Sequence, residues 1–138
     1  MNGTAEAGLY LDASVVILLI EGRSEVQDRT RAALKALGGE DCLFMVPPLT
    51  KLECLVKPLR TADRQILEAY QMFFSSLEIR VLGMGSDVWE RATHIRAKYG
   101  LAVPDALHLA TATVHGCARI VTRDVSWKRF VEAQVEVI

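Results

Sequence analysis

The sequence predicts an α/β domain on a mostly parallel sheet of about five strands, and two observations carry that expectation. Short apolar runs alternate along the chain with longer segments of helical period. The chain also has 138 residues, 51% hydrophobic and 24% charged, with a mean hydropathy of +0.21, which is enough for one packed core and lacks the signature of disorder. Residues 1–138 are therefore expected to form a single domain.

The strands are expected near Gly8 to Leu11, Cys42 to Val46, Ile79 to Leu82, Arg119 to Thr122 and Val135 to Ile138, each a short apolar or β-branched run. After the first strand, Ser14 precedes Val15 to Ile20 and is a candidate N-cap. Val26, Thr30, Ala33, Leu34 and Leu37 share one helical face, and Gly38-Gly39 supplies the stop. Ile66, Leu67, Tyr70, Phe73 and Phe74 form a second amphipathic face, and Val88, Ala92, Ile95 and Tyr99 a third. Pro104 stands where a helix start tolerates proline, with Asp105 in the first turn and an apolar run from Leu107 to Val114, as in a deeply buried helix.

Sixteen Lys and Arg against seventeen Asp and Glu leave a net charge of -1, which excludes a protein held to nucleic acid by bulk positive charge. Any polyanion must then be met by a local patch or a metal. The most apolar stretch, Leu9 to Ile20, contains Asp12 and is shorter than the roughly 20 residues of a spanning helix. Met1 to Gly8 carries only Glu6 as a charge, so no signal peptide or membrane span is expected and the protein is placed in the cytoplasm. Cys42, Cys54 and Cys117 are odd in number and lack C-x-x-C spacing, so they are expected as buried apolar residues rather than disulfide or zinc partners.

Topology turns four carboxylates into a candidate site. Loops leaving the carboxyl ends of parallel strands share one edge, where ligand sites form. Asp12 ends the first strand and Asp124 lies just past the fourth, while Glu53 and Asp105 sit in the opening turns of helices whose N-termini face that edge. Asp12, Asp105 and Asp124, each taken alone, are compatible with ordinary capping, and Glu53 alone decides nothing either way. Glu53 and Asp105 stand out because same-face neighbours are apolar: Leu49, Leu52 and Val56 beside one, Val103 and Leu109 beside the other. A carboxylate turned toward a core costs several kcal/mol unless paired or metal-bound, and only Lys51 and Lys57 lie close in sequence. Clustered acids repel, and a hard divalent cation such as Mg²⁺ or Mn²⁺ relieves that repulsion. Phosphoryl transfer is the chemistry such ions serve best.

Tyr10-Leu11-Asp12-Ala13-Ser14, Leu49-Thr50-Lys51-Leu52-Glu53, Pro104-Asp105-Ala106-Leu107-His108-Leu109-Ala110 and Val121-Thr122-Arg123-Asp124 fall in order along the chain. In these runs, and over nearly its whole length, the chain resembles PIN-domain ribonucleases of the VapC toxin type. The resemblance implies a three-layer α/β/α fold with Asp12, Glu53, Asp105 and Asp124 as the catalytic acids. Thr122 and, more weakly, Ser14 would be the polar residues that position a ligand or water. It further implies a metal-dependent endoribonuclease with Asp12, Asp105 and Asp124 holding Mg²⁺ or Mn²⁺ and Glu53 completing the shell or orienting water. Such proteins are usually homodimers neutralised by a small antitoxin. One departure concerns Asp124, after which Val125 and Ser126 precede the aromatic Trp127 and Phe130.

Other residues take plainer expectations. His108 is expected as a packed histidine, although its position three residues after Asp105 would let it face the site. His94 and His115 are expected at the surface. Lys51, Lys57, Arg60, Arg123, Lys128 and Arg129 are candidates for phosphate contact by sequence proximity, each more often a solvated charge. Phe73, Phe74 and Trp89 are expected in the core, an exposed subset serving a dimer or antitoxin surface. The alternatives are a non-catalytic domain binding RNA or protein, or a phosphatase of the haloacid dehalogenase type. The latter wants a second Asp two residues after the first, where Ser14 stands.

Overall fold

A computed structural model describes residues 8–138; the expectation about a leader falls largely on residues 1–7, outside the described residues. The chain runs β1 (Gly8–Leu11), α1 (Ala13–Glu21), α2 (Ser24–Gly38), β2 (Leu43–Val46), α3 (Pro48–Arg60), α4 (Arg64–Phe74), β3 (Ile79–Val81), α5 (Ser86–Tyr99), α6 (Val103–Val114), β4 (Arg119–Thr122), a 3-10 turn (Val125–Arg129) and β5 (Gln134–Val137). All strand pairs are parallel and the sheet order is β3-β2-β1-β4-β5, so the expected α/β class and parallel sheet are what forms. Among the described residues no helix is long and apolar enough to cross a membrane.

The pleat of β1 explains the three layers. Leu9 and Leu11 point to one face, where they join Val15, Val16, Leu19, Leu34, Phe44, Val46, Tyr70 and Phe73 from α1, α2, β2 and α4. Tyr10 points to the other, with Met45, Val88, Ile95, Leu109, Ile120 and Trp127. β1 is buried along its whole length, as a central parallel strand must be.

α6 is the buried helix its composition predicts: residues 106 to 112 are buried without interruption, with Pro104 in the first turn. α2 ends at Gly39 with φ +90° and α5 at Gly100 with φ +66°, conformations that suit glycine. α1 departs from expectation at its start. Asp12, not Ser14, is the N-cap, and its side chain accepts no capping bond from the helix; Ser14 lies inside α1. The Asp12 carboxylate is free of that duty because its oxygens are directed elsewhere. Cys42, Cys54 and Cys117 are buried free thiols, and burial pushes the Cys54 thiol up to about 12.

Candidate metal centre

Asp12 leaves the carboxyl end of β1 and is nearly buried, its side chain 12% exposed. Its Oδ2 accepts two hydroxyl hydrogen bonds, from Ser14 Oγ and Thr122 Oγ1, each at 2.8 Å. The pair fixes the carboxylate from two sides: Ser14 belongs to α1 and Thr122 ends β4. Thr122 Oγ1 also accepts from the Asp124 N–H at 3.0 Å, and Ser14 Oγ from the Arg123 N–H at 3.3 Å, so the loop after β4 is tied to the loop after β1. The polar residues expected beside the acids are thus the ones that orient the first acid.

Glu53 projects from the second turn of α3. Leu52 and Val56 beside it are exposed, at 60% and 43%, so α3 does not turn that whole face to the core. Glu53 sits at the boundary instead, with its carboxylate reaching inward. Its Oε1 lies 2.6 Å from His108 Nε2, and the same nitrogen lies 3.8 Å from Asp12 Oδ1. His108 is packed as expected, 1% exposed, but both ring nitrogens are committed: Nδ1 lies 2.7 Å from the Tyr10 hydroxyl. Ligand atoms of Asp12, Glu53 and His108 all lie within 4.8 Å of one another.

Asp105, in the first turn of α6, is half-buried, while Val103 on the same helix start is exposed. Burial raises the Asp105 carboxyl above its ordinary range, and the charges of Asp124 and Asp12 raise it further; the Trp127 indole and His108 pull it back. Trp127 is itself buried, and its Nε1 has no partner of hydrogen-bond geometry. An N–H left so beside an acid makes Asp105 the natural acceptor once either side chain shifts. Asp124 is exposed, and its Oδ1 caps the 3-10 turn by accepting from the Ser126 N–H at 2.9 Å and Ser126 Oγ at 2.7 Å.

The structure therefore places all four predicted acids at one edge of the sheet and brings Asp12 and Glu53 together through His108. Asp105 and Asp124 meet them electrostatically rather than by a shared hydrogen bond. Among the described residues, none of the four acids forms an ion pair with Lys or Arg. Lys51 turns over the Phe74 ring and Arg129 donates to the Tyr99 carbonyl, while Lys57, Arg60, Arg123 and Lys128 are exposed. His94 and His115 are exposed. Tyr10 escaped the sequence reading, because one aromatic residue in a buried strand carries no mark of its partner.

The PIN domain family model matches residues 9–133. No curated protein matches the chain by sequence. Solved structures do match by fold. A VapBC2 complex from Rickettsia felis, bound to a fragment of promoter DNA, superposes with a TM-score of 0.77 at 14% identity, covering 94% of this chain and 98% of that one. A toxin–antitoxin complex from Klebsiella pneumoniae gives 0.71 at 25% identity over 94% and 96%. The Mycobacterium tuberculosis toxin VapC20, described as cleaving the sarcin–ricin loop, gives 0.70 at 15% identity over 89% and 95%. With its family match running from Leu9 past Asp124 and its fold shared with these structures over most of its length, the chain belongs to the PIN domain family.

Proposed function

We propose that the chain is a metal-dependent endoribonuclease of the VapC toxin type, a single PIN domain inhibited by a cognate antitoxin. The observation that carries the reading is the uncompensated charge at the sheet edge, where Asp105 is held above its usual range by burial and by two other acids, with no Lys or Arg paired to any of them. Carboxylates crowded in this way fit a hard divalent cation, because the donors are oxygens and the repulsion among them falls when a cation binds. Asp12, Asp105 and Asp124 would hold Mg²⁺ or Mn²⁺. When bound, the ion supplies a water of lowered pKa and neutralises charge on the phosphate oxygens.

The chain's own residues do the rest. Ser14 and Thr122 occupy Asp12 Oδ2 and so set the carboxylate plane. Ser126 occupies Asp124 Oδ1 in the same manner. Glu53, one oxygen of which is engaged by His108, orients the attacking water with the other. Water attacks phosphorus in line, the bond to the 3′ oxygen breaks, and the products are a 3′-hydroxyl and a 5′-phosphate. Exposed Lys57, Arg60, Arg123 and Lys128 are the free cations nearest in sequence to the acids for contacting RNA phosphates.

An antitoxin needs an apolar landing surface, and α3 and α4 offer one. Leu55, Leu67 and Phe74 line a groove between them, with Lys51, Gln71 and Ser75. Leu52, Leu59 and Met72 stand exposed on the same two helices. Solved structures of this fold include toxin–antitoxin complexes, which supports such a partner, and the family resemblance implies a homodimeric toxin. Asp105→Asn should abolish Mn²⁺-stimulated cleavage of RNA while the circular dichroism spectrum stays that of the wild type. Undiminished cleavage in that variant would sink the reading, and analytical ultracentrifugation checks the dimer.

A further inference from the structure

Behind the acids lies a wire of buried polar groups that capping and metal binding leave unexplained. Tyr10 is fully buried, and its hydroxyl sits 2.7 Å from His108 Nδ1; His108 is 1% exposed, and its Nε2 sits 2.6 Å from Glu53 Oε1. Burying a phenol and an imidazole in an apolar core is costly unless each finds a partner, so the two must serve each other or something at the surface. A carboxylate only accepts hydrogen bonds, so Nε2 must carry the proton. In that tautomer Nδ1 presents a lone pair, which the Tyr10 hydroxyl at 2.7 Å can fill as donor. Burial holds that hydroxyl well above its ordinary pKa, so the donor stays in place. The imidazole is further caged by edge contact with Tyr10 and a tilted contact with Trp127, both at 5.8 Å between ring centroids.

We propose that His108, its tautomer set by Tyr10, is a positioning residue that holds Glu53 in its reactive rotamer at the sheet edge. Glu53 needs such a brace. Leu52 and Val56 beside it are open to solvent, and among the described residues no Lys or Arg pairs with it. A half-exposed glutamate has three side-chain torsions to lose, and an ordered partner removes that freedom before substrate arrives. The inference rests on the ribonuclease reading for its kinetic consequence and on geometry alone for the brace.

The test uses the full chain and His108→Leu, His108→Gln and Tyr10→Phe, each checked for folding by thermal melting. Long-range ¹H–¹⁵N correlation spectra of the histidine rings should show His108 as the Nε2–H tautomer in the wild type and a mixture in Tyr10→Phe. Single-turnover cleavage of a labelled single-stranded RNA transcript in Mn²⁺ should slow about 10- to 100-fold in His108→Leu with half-saturation little changed. His108→Gln, whose amide can still donate to Glu53, should recover most of the rate. An Nδ1–H tautomer in the wild type overturns the proposal, as does wild-type cleavage by His108→Leu or an equal loss in the Leu and Gln variants. A wild-type protein that cuts no RNA overturns the ribonuclease reading instead, and the tautomer still decides the brace.

Discussion

Two acids of this molecule live in opposite surroundings. Glu132, before β5, is gripped by Arg91, by Lys98 at 3.3 Å and by the Tyr99 hydroxyl at 2.8 Å, and these contacts, Tyr99 foremost, lower its pKa. Asp105 is raised, by burial first and then by Asp124 and Asp12. One acid is neutralised by its own chain and clips α5 to the segment leading into β5. The other has no Lys or Arg paired to it among the described residues. Charge that a fold leaves unbalanced, where it has balanced similar charge elsewhere, is where the proposed metal ion would bind.

The sharpest way to break this contrast is Asp105→Asn, which should lower RNA cleavage by about 10²-fold or more. The same substitution should raise the melting temperature of the metal-free protein at neutral pH, since it removes a carboxylate whose ionised form is disfavoured by folding. A lower melting temperature there would mean Asp105 is stabilising and the contrast is false. Next in size, Mn²⁺ at about 100 times its Kd should stabilise the folded chain by about 2.7 kcal/mol, seen as an upward thermal shift that Asp12→Asn removes. Glu132 should show no such response.

The pH dependence separates the two acids by sign. Asp105, raised above 3.8, favours the folded state below that value, and its contribution is lost as pH climbs through its folded pKa. Glu132, lowered from 4.5, contributes above that value and is lost as pH falls through its folded pKa. Denaturation profiles from pH 3 to 7, with Asp105→Asn and Glu132→Gln each erasing its own limb, check this at about the precision of linked proton uptake. The smallest effect is that of Glu132→Gln at neutral pH. Its contacts are solvent-screened, so the melting temperature should fall by a few degrees at most and cleavage should not change.

Much of the fold could be read from the chain. The strand boundaries near Gly8, Ile79 and Arg119 follow from apolar runs, and α6 from Pro104, Asp105 and the run behind them, because hydrogen bonding within a helix and burial of a stripe depend on near neighbours in sequence. The edge location of Asp12, Glu53, Asp105 and Asp124 followed from the handedness and direction of parallel units. Details of side-chain duty did not. Ser14 reads locally as an N-cap and instead binds Asp12; Leu52 reads as a core residue beside Glu53 and is exposed; the 3-10 turn capped by Asp124 has no periodic signal.

What the sequence by itself determined is the α/β class, the parallel sheet and the convergence of four acids at one edge, since each depends on local period and on the few topologies a parallel sheet permits. Only the tertiary structure decided which of those acids are joined and by what. The Tyr10–His108 contact spans 98 residues of chain and the His108–Glu53 contact 55, and a hydrogen bond a few ångströms long is set by how two helices and a strand pack, which no neighbour in sequence reports.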